Sequence, residues 1–166
     1  MENNDMDQNQ EVSHVAEDKA KAFQEYLDKA EIGGIQMFEA GENGEAKVFR
    51  SNLPVRGHKL PFMILVDGTV YTLVQIALAE NIVTEANKAS IMEYLNDLNT
   101  EYRMLKYNCD GAGNLLMTLV ITSGVETFDP GMIINLLNEI QTHLDTVYPD
   151  IMKKLWKDGG EEKSES

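Results

Sequence analysis

The sequence predicts an α+β domain, an antiparallel sheet with flanking helices in the order α-β-β-β(-β)-α-β-β-α. Three observations carry this. Segments with helical apolar spacing stand near both ends and once in the middle. Short alternating or apolar runs lie between them. Turn residues such as Asn43-Gly44 and Asp67-Gly68 separate those runs as hairpin signals.

The first helix is read over SHVAEDKAKAFQEYLDKAE, residues 13–31. Ser13 is its expected cap, and Ala16, Ala20, Phe23, Leu27 and Ala30 repeat at helical spacing. Gly33 and Gly34 end it. Ile35 to Ala40 and Ala46 to Leu53 flank GENGE as a first, short hairpin. Leu60 to Val66 and Val70 to Ala77 flank Asp67-Gly68 as a second. Pro54 and Gly57 mark PVRGHK, residues 54–59, as a loop. The segment 84–99 is helical, with Thr84 as cap and Ile91, Leu95 and Leu98 as its stripe.

A strand follows from Arg103 to Cys109, with Leu105, Tyr107 and Cys109 on one face. Asp110 to Gly113 supplies a turn. Leu115 to Thr122 is apolar at consecutive positions, which predicts a central strand covered on both sides. Asp129-Pro130 starts the last helix, because aspartate caps and proline suits the first helical position. Ile133, Leu136, Leu137, Ile140, Leu144 and Val147 line one face. Pro149 removes one hydrogen bond and predicts a kink or a restart.

The 166 residues are 43% hydrophobic, enough for a core, and carry a net charge of -14. That charge opposes binding to nucleic acid or to anionic lipid, both of which need positive potential. Residues 1–11 hold four acids and no base, and residues 158–166 carry a net charge of -3. The ends are therefore read as disordered acidic tails, 1–12 and 158–166, around one domain spanning 13–157. A single cysteine gives no internal disulfide, no signal peptide is read at the N-terminus, and the longest apolar run is too short to span a bilayer. The expectation is a cytoplasmic protein that does not enter the membrane.

Cys109 beside Asp110 invites a catalytic reading. A nucleophilic cysteine needs a base, and His14, His58 and His143 all lie far from it in sequence. A small apolar residue at a strand end is the favoured reading. DGAGN begins like a calcium loop but has Ala112 at the third position, where an oxygen ligand is needed. Glu93, Asp97 and Glu101 share a helix face and read as a solvated stripe. No zinc, phosphate-loop or dinucleotide motif is present. No catalytic residue, cofactor or metal ligand is assigned, and a non-enzymatic role is expected. Nine methionines read mainly as core fillers.

Residues 46–66 contain no acid but hold Lys47, Arg50, Arg56, His58 and Lys59. On so acidic a chain they form a candidate site for a carboxylate-rich protein partner or for the protein's own acidic tail. The favoured reading is charge that protects a sheet edge.

LPFMILVDGTVYTLVQI, YLNDLNTEYRMLKYNCDGAGNLLMTLVI and FDPGMIINLLNEIQTHLDTVYPDIMKKLW together resemble the bacterial YbjN-like proteins. The resemblance spans about residues 15–157 and rests on hydrophobic and turn patterns. It implies the fold of type III secretion chaperones, with one strand fewer than the periodicity gives. It further implies a homodimeric, protein-binding or regulatory module linked to stress or sensory transduction, with no catalytic residues to carry over. Two alternatives stand beside it. One is a dedicated secretion chaperone. The other is a small-molecule-binding domain with a pocket lined by Tyr71, Tyr107 and Trp156.

Overall fold

The computed structural model describes the backbone of residues 3–42 and 44–159, and side chains within residues 14–42 and 44–156. The elements are α1 (Asn3–Lys29), β1 (Gln36–Ala40), β2 (Ala46–Val55), β3 (His58–Asp67), β4 (Tyr71–Ala79), α2 (Lys88–Glu101), β5 (Lys106–Cys109), β6 (Leu115–Thr122) and α3 (Pro130–Gly159). The α+β class and the element order are those the sequence predicts, including the early strand β1. The strands form one sheet in the order β1-β2-β3-β4-β6-β5, antiparallel throughout.

The chain divides into two compact units. The first comprises Met1–Ser51, Phe62–Val74 and Val120–Asn138, and the second Asn52–Pro61, Gln75–Leu119 and Glu139–Ser166. Strands β2, β3, β4 and β6 and helix α3 contribute to both.

In the first unit α1 lies on the sheet. Ala16, Ala20, Phe23 and Leu27 are buried, and the ring of Phe23 meets Phe49 of β2 edge-on at 4.7 Å. Such aromatic pairs add about 1 kcal/mol beyond the area they bury. Ala30 is exposed, because it lies past the end of the helix. Lys19, which the apolar stripe did not include, is fully buried. Its Nζ donates to the carbonyl of Thr69 at 2.5 Å, in the turn between β3 and β4. Burial lowers its pKa, and Asp67 partly opposes that.

Helix α1 begins at Asn3, so Ser13 is an interior residue and not its cap. Of the expected tail 1–12, residues 3–12 continue α1. Met1, Glu2 and residues 160–166 of the C-terminal tail lie outside the described residues, as does Asn43 of the first hairpin.

In the second unit the connection between β2 and β3 is only Arg56-Gly57, both at positive φ (48° and 84°). Two left-handed residues make the tight turn whose twist matches the flanking strands. The expected loop 54–59 is thus mostly strand. Pro54 is accommodated because β1 pairs with β2 only as far as Arg50, leaving no partner there for the hydrogen bond that proline lacks.

Helix α3 runs through Pro149 without a restart. In a regular helix the N–H at position 149 would bond the carbonyl of Asp145. Proline has no N–H. The Nε of Arg56 donates to that carbonyl instead, at 2.6 Å, and the Arg56 N–H donates to the Asp145 carboxylate at 3.1 Å. Beside this tie His58 stacks edge-on against Tyr148 at 5.6 Å, and the Tyr148 hydroxyl donates to the Leu78 carbonyl at 3.3 Å.

Two boundaries shift for local reasons. Helix α2 starts at Lys88, not near Thr84, because the Asn87 side chain ties back to the Ile82 carbonyl and the Thr84 N–H and holds a turn ahead of it. Strand β5 starts at Lys106, not Arg103. The chain closes α2 with the Tyr102 N–H on the Leu98 carbonyl, then turns through Leu105 N–H to Tyr102. The outer edge of β5 is closed by one side chain. Asn99 of α2 accepts from the Tyr107 N–H at 2.7 Å and donates to the Tyr107 carbonyl at 3.0 Å.

Strand β6 is not covered on both sides. Leu115, Met117, Leu119 and Ile121 are buried, whereas Leu116 and Thr118 are half-buried and Val120 and Thr122 exposed. The same alternation runs through β3 and β4, so one face of the sheet carries the helices and the other faces solvent.

Two stability tests follow from these contacts. Arg56→Met costs about 1 kcal/mol in urea unfolding. That cost shrinks in a Pro149→Ala background, where the helix supplies its own donor; equal costs in both backgrounds would contradict the tie. Gly113 sits at φ +80°, and a Cβ there would lie 2.4 Å from the Val83 carbonyl oxygen. Gly113→Ala therefore destabilises by roughly 3 kcal/mol, while Gly111→Ala, with open space around it, stays within about 0.5 kcal/mol.

Candidate functional site

The solvent-facing side of the sheet is the candidate site. In the first unit it carries an apolar row: Phe38 of β1, Val48 of β2, Leu65 of β3, Leu73 of β4 and Val120 of β6. Strand alternation places all five on one face. Phe38 is paired directly with Val48. The two-residue turn between β2 and β3 sets Val48 against Leu65, and the Ser123 N–H bonded to the Val70 carbonyl sets Leu73 against Val120. Val48 is buried and Leu65 and Leu73 are half-buried, while the ends of the row are open: Phe38 is 45% exposed and Val120 53%. Tyr71 and Val70, at the start of β4, extend the exposed apolar surface. Exposed apolar side chains that cluster, as Phe38, Val70, Tyr71 and Val120 do in this unit, mark an interaction surface more often than a random scatter does.

The five basic residues singled out in the sequence take separate tasks. In the first unit Lys47 is buried and pairs with Glu39 at 2.9 Å, and the Arg50 guanidinium lies over the Phe38 ring at 5.5 Å. In the second unit Arg56 fills the helix gap at Pro149, and His58 stacks on Tyr148. Lys59 is exposed on β3. Four of these side chains thus have partners within their own unit. The pattern of residue types identified the hairpin but carried no sign of the proline gap that engages Arg56.

Cys109 is half-buried at the end of β5, paired with Leu115. Asp110 organises the turn after it. Its carboxylate accepts from the Ala112 N–H, the Asn114 N–H and the Asn114 side chain at 2.8–3.0 Å. The Asn114 bonds hold its pKa below the ordinary carboxylate value. An aspartate so occupied is a turn residue and not a base. Glu93, Asp97 and Glu101 are exposed, and among the described residues no three His, Cys, Asp or Glu side chains converge on a metal-sized site.

One buried polar contact in the second unit has no signal in the residue pattern. The hydroxyl of Tyr107, a residue only 2% exposed, lies 2.5 Å from Nε2 of His143 on α3, and the Tyr102 ring meets that imidazole edge-on at 4.3 Å. Burial raises the pKa of Tyr107 and lowers that of His143. The phenol is therefore the donor and the neutral imidazole the acceptor. The contact satisfies a buried hydroxyl.

The three aromatic residues of the pocket reading are divided between the units. Tyr71 belongs to the first unit, and Tyr107 and Trp156 to the second, where Tyr107 is buried and Trp156 is 72% exposed. A groove of about 340 Å³ lies between α1 and the β1–β2 hairpin of the first unit. Glu17, Lys21, Met37, Glu39 and Lys47 line it, and none of those three aromatics does.

His143 sets a pH dependence. Its folded pKa lies below the unfolded value, so the unfolded chain binds the proton first. The stabilisation is complete above about pH 6.5 and is lost as pH falls from there through the folded pKa. The urea midpoint drops between pH 7.5 and 5 more steeply in the wild type than in His143→Gln; parallel profiles would contradict this assignment. Among known proteins, the chain matches no family model and no curated relative.

Proposed function

We propose that this chain is a non-enzymatic protein-binding or regulatory module of the YbjN-like group, working in the cytoplasm as a homodimer and serving stress or sensory-transduction regulation. The observation that carries the binding role is the apolar row Phe38–Val48–Leu65–Leu73–Val120 on the helix-free face of the sheet. A protein segment laid across that row removes its exposed ends from water, at about 25 cal/mol for each Å² of apolar surface buried. The net charge of -14 turns nucleic acid and anionic membrane away from the same surface. No helix among the described residues is long and apolar enough to cross a membrane.

The arrangement of β2–β3 around α3 and of Tyr107 around His143 supports a stable scaffold rather than a reacting centre. Both sets of polar groups are spent on internal ties.

The test is affinity capture with matched baits. The wild type retains a partner that Val120→Glu loses, while circular dichroism melts of the two proteins agree, because Val120 is exposed. Identical partner sets for both baits would remove the binding role from this face.

A further inference from the structure

The two edges of the sheet are treated differently. At one edge the backbone of β5 is closed by the Asn99 carboxamide. At the other, β1 has a strand neighbour on one side only, and four of its five residues, Gln36 to Glu39, are exposed. An uncovered edge strand offers N–H and C=O groups to a further strand. Proteins usually discourage this with proline, lysine or an outward charge on the edge. QMFEA has no proline and no base, and its one acid, Glu39, though 72% exposed, is neutralised by an ion pair with buried Lys47 at 2.9 Å.

We infer that β1 is the seam of the homodimer, pairing antiparallel with β1 of a second copy about a two-fold axis at Phe38. The inference rests on the homodimer reading and names its interface. The occupant is a second copy because the strand is complementary to itself. Under that symmetry Phe38 faces Phe38, Met37 faces Glu39, and Gln36 faces Ala40. No like charges stand opposite one another, and the aromatic pair lies at the centre. Phe38 and Met37 are each 45% exposed in the single chain and are covered together in the pair. The Arg50 guanidinium, already over the Phe38 ring, caps the aromatic pair from the neighbouring strand. About four to six new backbone hydrogen bonds form, depending on which residues turn their N–H outward. The apolar row on the open face then continues across the seam from one copy into the other, so the proposed partner surface doubles in length.

The seam is tested by cysteine trapping in a Cys109→Ser background, with sedimentation of the wild type as reference. Residues opposite one another in an antiparallel pair have Cα atoms about 4.5–5.5 Å apart, within the range a disulfide accepts. Phe38→Cys is expected to oxidise to a covalent dimer at least about tenfold faster than Val120→Cys, an exposed control away from the seam. Phe38→Lys, which sets two ammonium groups opposite each other, is expected to sediment as a monomer while keeping the wild-type far-UV circular dichroism spectrum. A wild-type dimer whose Phe38→Cys variant traps no faster than the control overturns the seam and leaves the homodimer standing. A wild type that remains an 18.6 kDa monomer at tens of micromolar overturns both. A monomeric wild type that instead binds an added QMFEA peptide, and loses it in Phe38→Lys, shows an edge built for a foreign strand and likewise overturns the second-copy assignment.

Discussion

The second unit is organised around a missing hydrogen bond. Pro149 leaves the Asp145 carbonyl without its helical donor, and Arg56 at the tip of the β2–β3 turn supplies one. The tie needs both sides. The turn must be tight enough to present Arg56 at positive φ, and the helix must hold its proline at the matching height. Once Arg56 is seated, His58 meets Tyr148, and Tyr148 reaches the Leu78 carbonyl. Further along α3 in the N-terminal direction, His143 receives the Tyr107 hydroxyl. A helix that is otherwise an apolar stripe is thereby fixed in rotation and height by directional contacts, which hydrophobic burial alone does not provide.

The same economy explains why the basic residues give no free cationic patch. A guanidinium bonded to a helix carbonyl, an ammonium buried against Glu39 and an imidazole stacked on a phenol are structural members first. The exposed apolar surface of the first unit lies instead on the open side of the sheet and at the β1 edge. These two surfaces belong to one design. A sheet with helices on one face leaves the other face to solvent, and closing only one of its edges leaves the other free to extend it.

Much of the fold was legible in local pattern. Asp129-Pro130 started α3 as read, with the Asp129 carboxylate on the Met132 N–H at 3.0 Å. GENGE and Asp67-Gly68 separated strands as read, and Ile91, Leu95 and Leu98 are the buried stripe of α2. The failures share a cause. Leu115 to Thr122 reads as doubly covered because Leu116 and Val120 are apolar, yet apolarity at a position does not say whether a second layer exists above it. Pro54 reads as a loop breaker in the sequence, yet a strand accepts proline where one side is unpaired, and the length of β1 decides that. Of the candidate site, the residue types were visible but their partners were not, since Arg56 and Asp145 are 89 positions apart.

By itself, the sequence determined the α+β class, the order of the elements and the turns between them, because alternation, helical spacing and capping act over a few residues. Only the tertiary structure decided that one sheet face stays open, that Asn99 seals β5 while β1 remains unsealed, and that Arg56, Lys47 and His58 are spent inside the molecule. Each of those outcomes depends on which distant backbone group lies within about 3 Å of a side chain, and no local pattern encodes that distance.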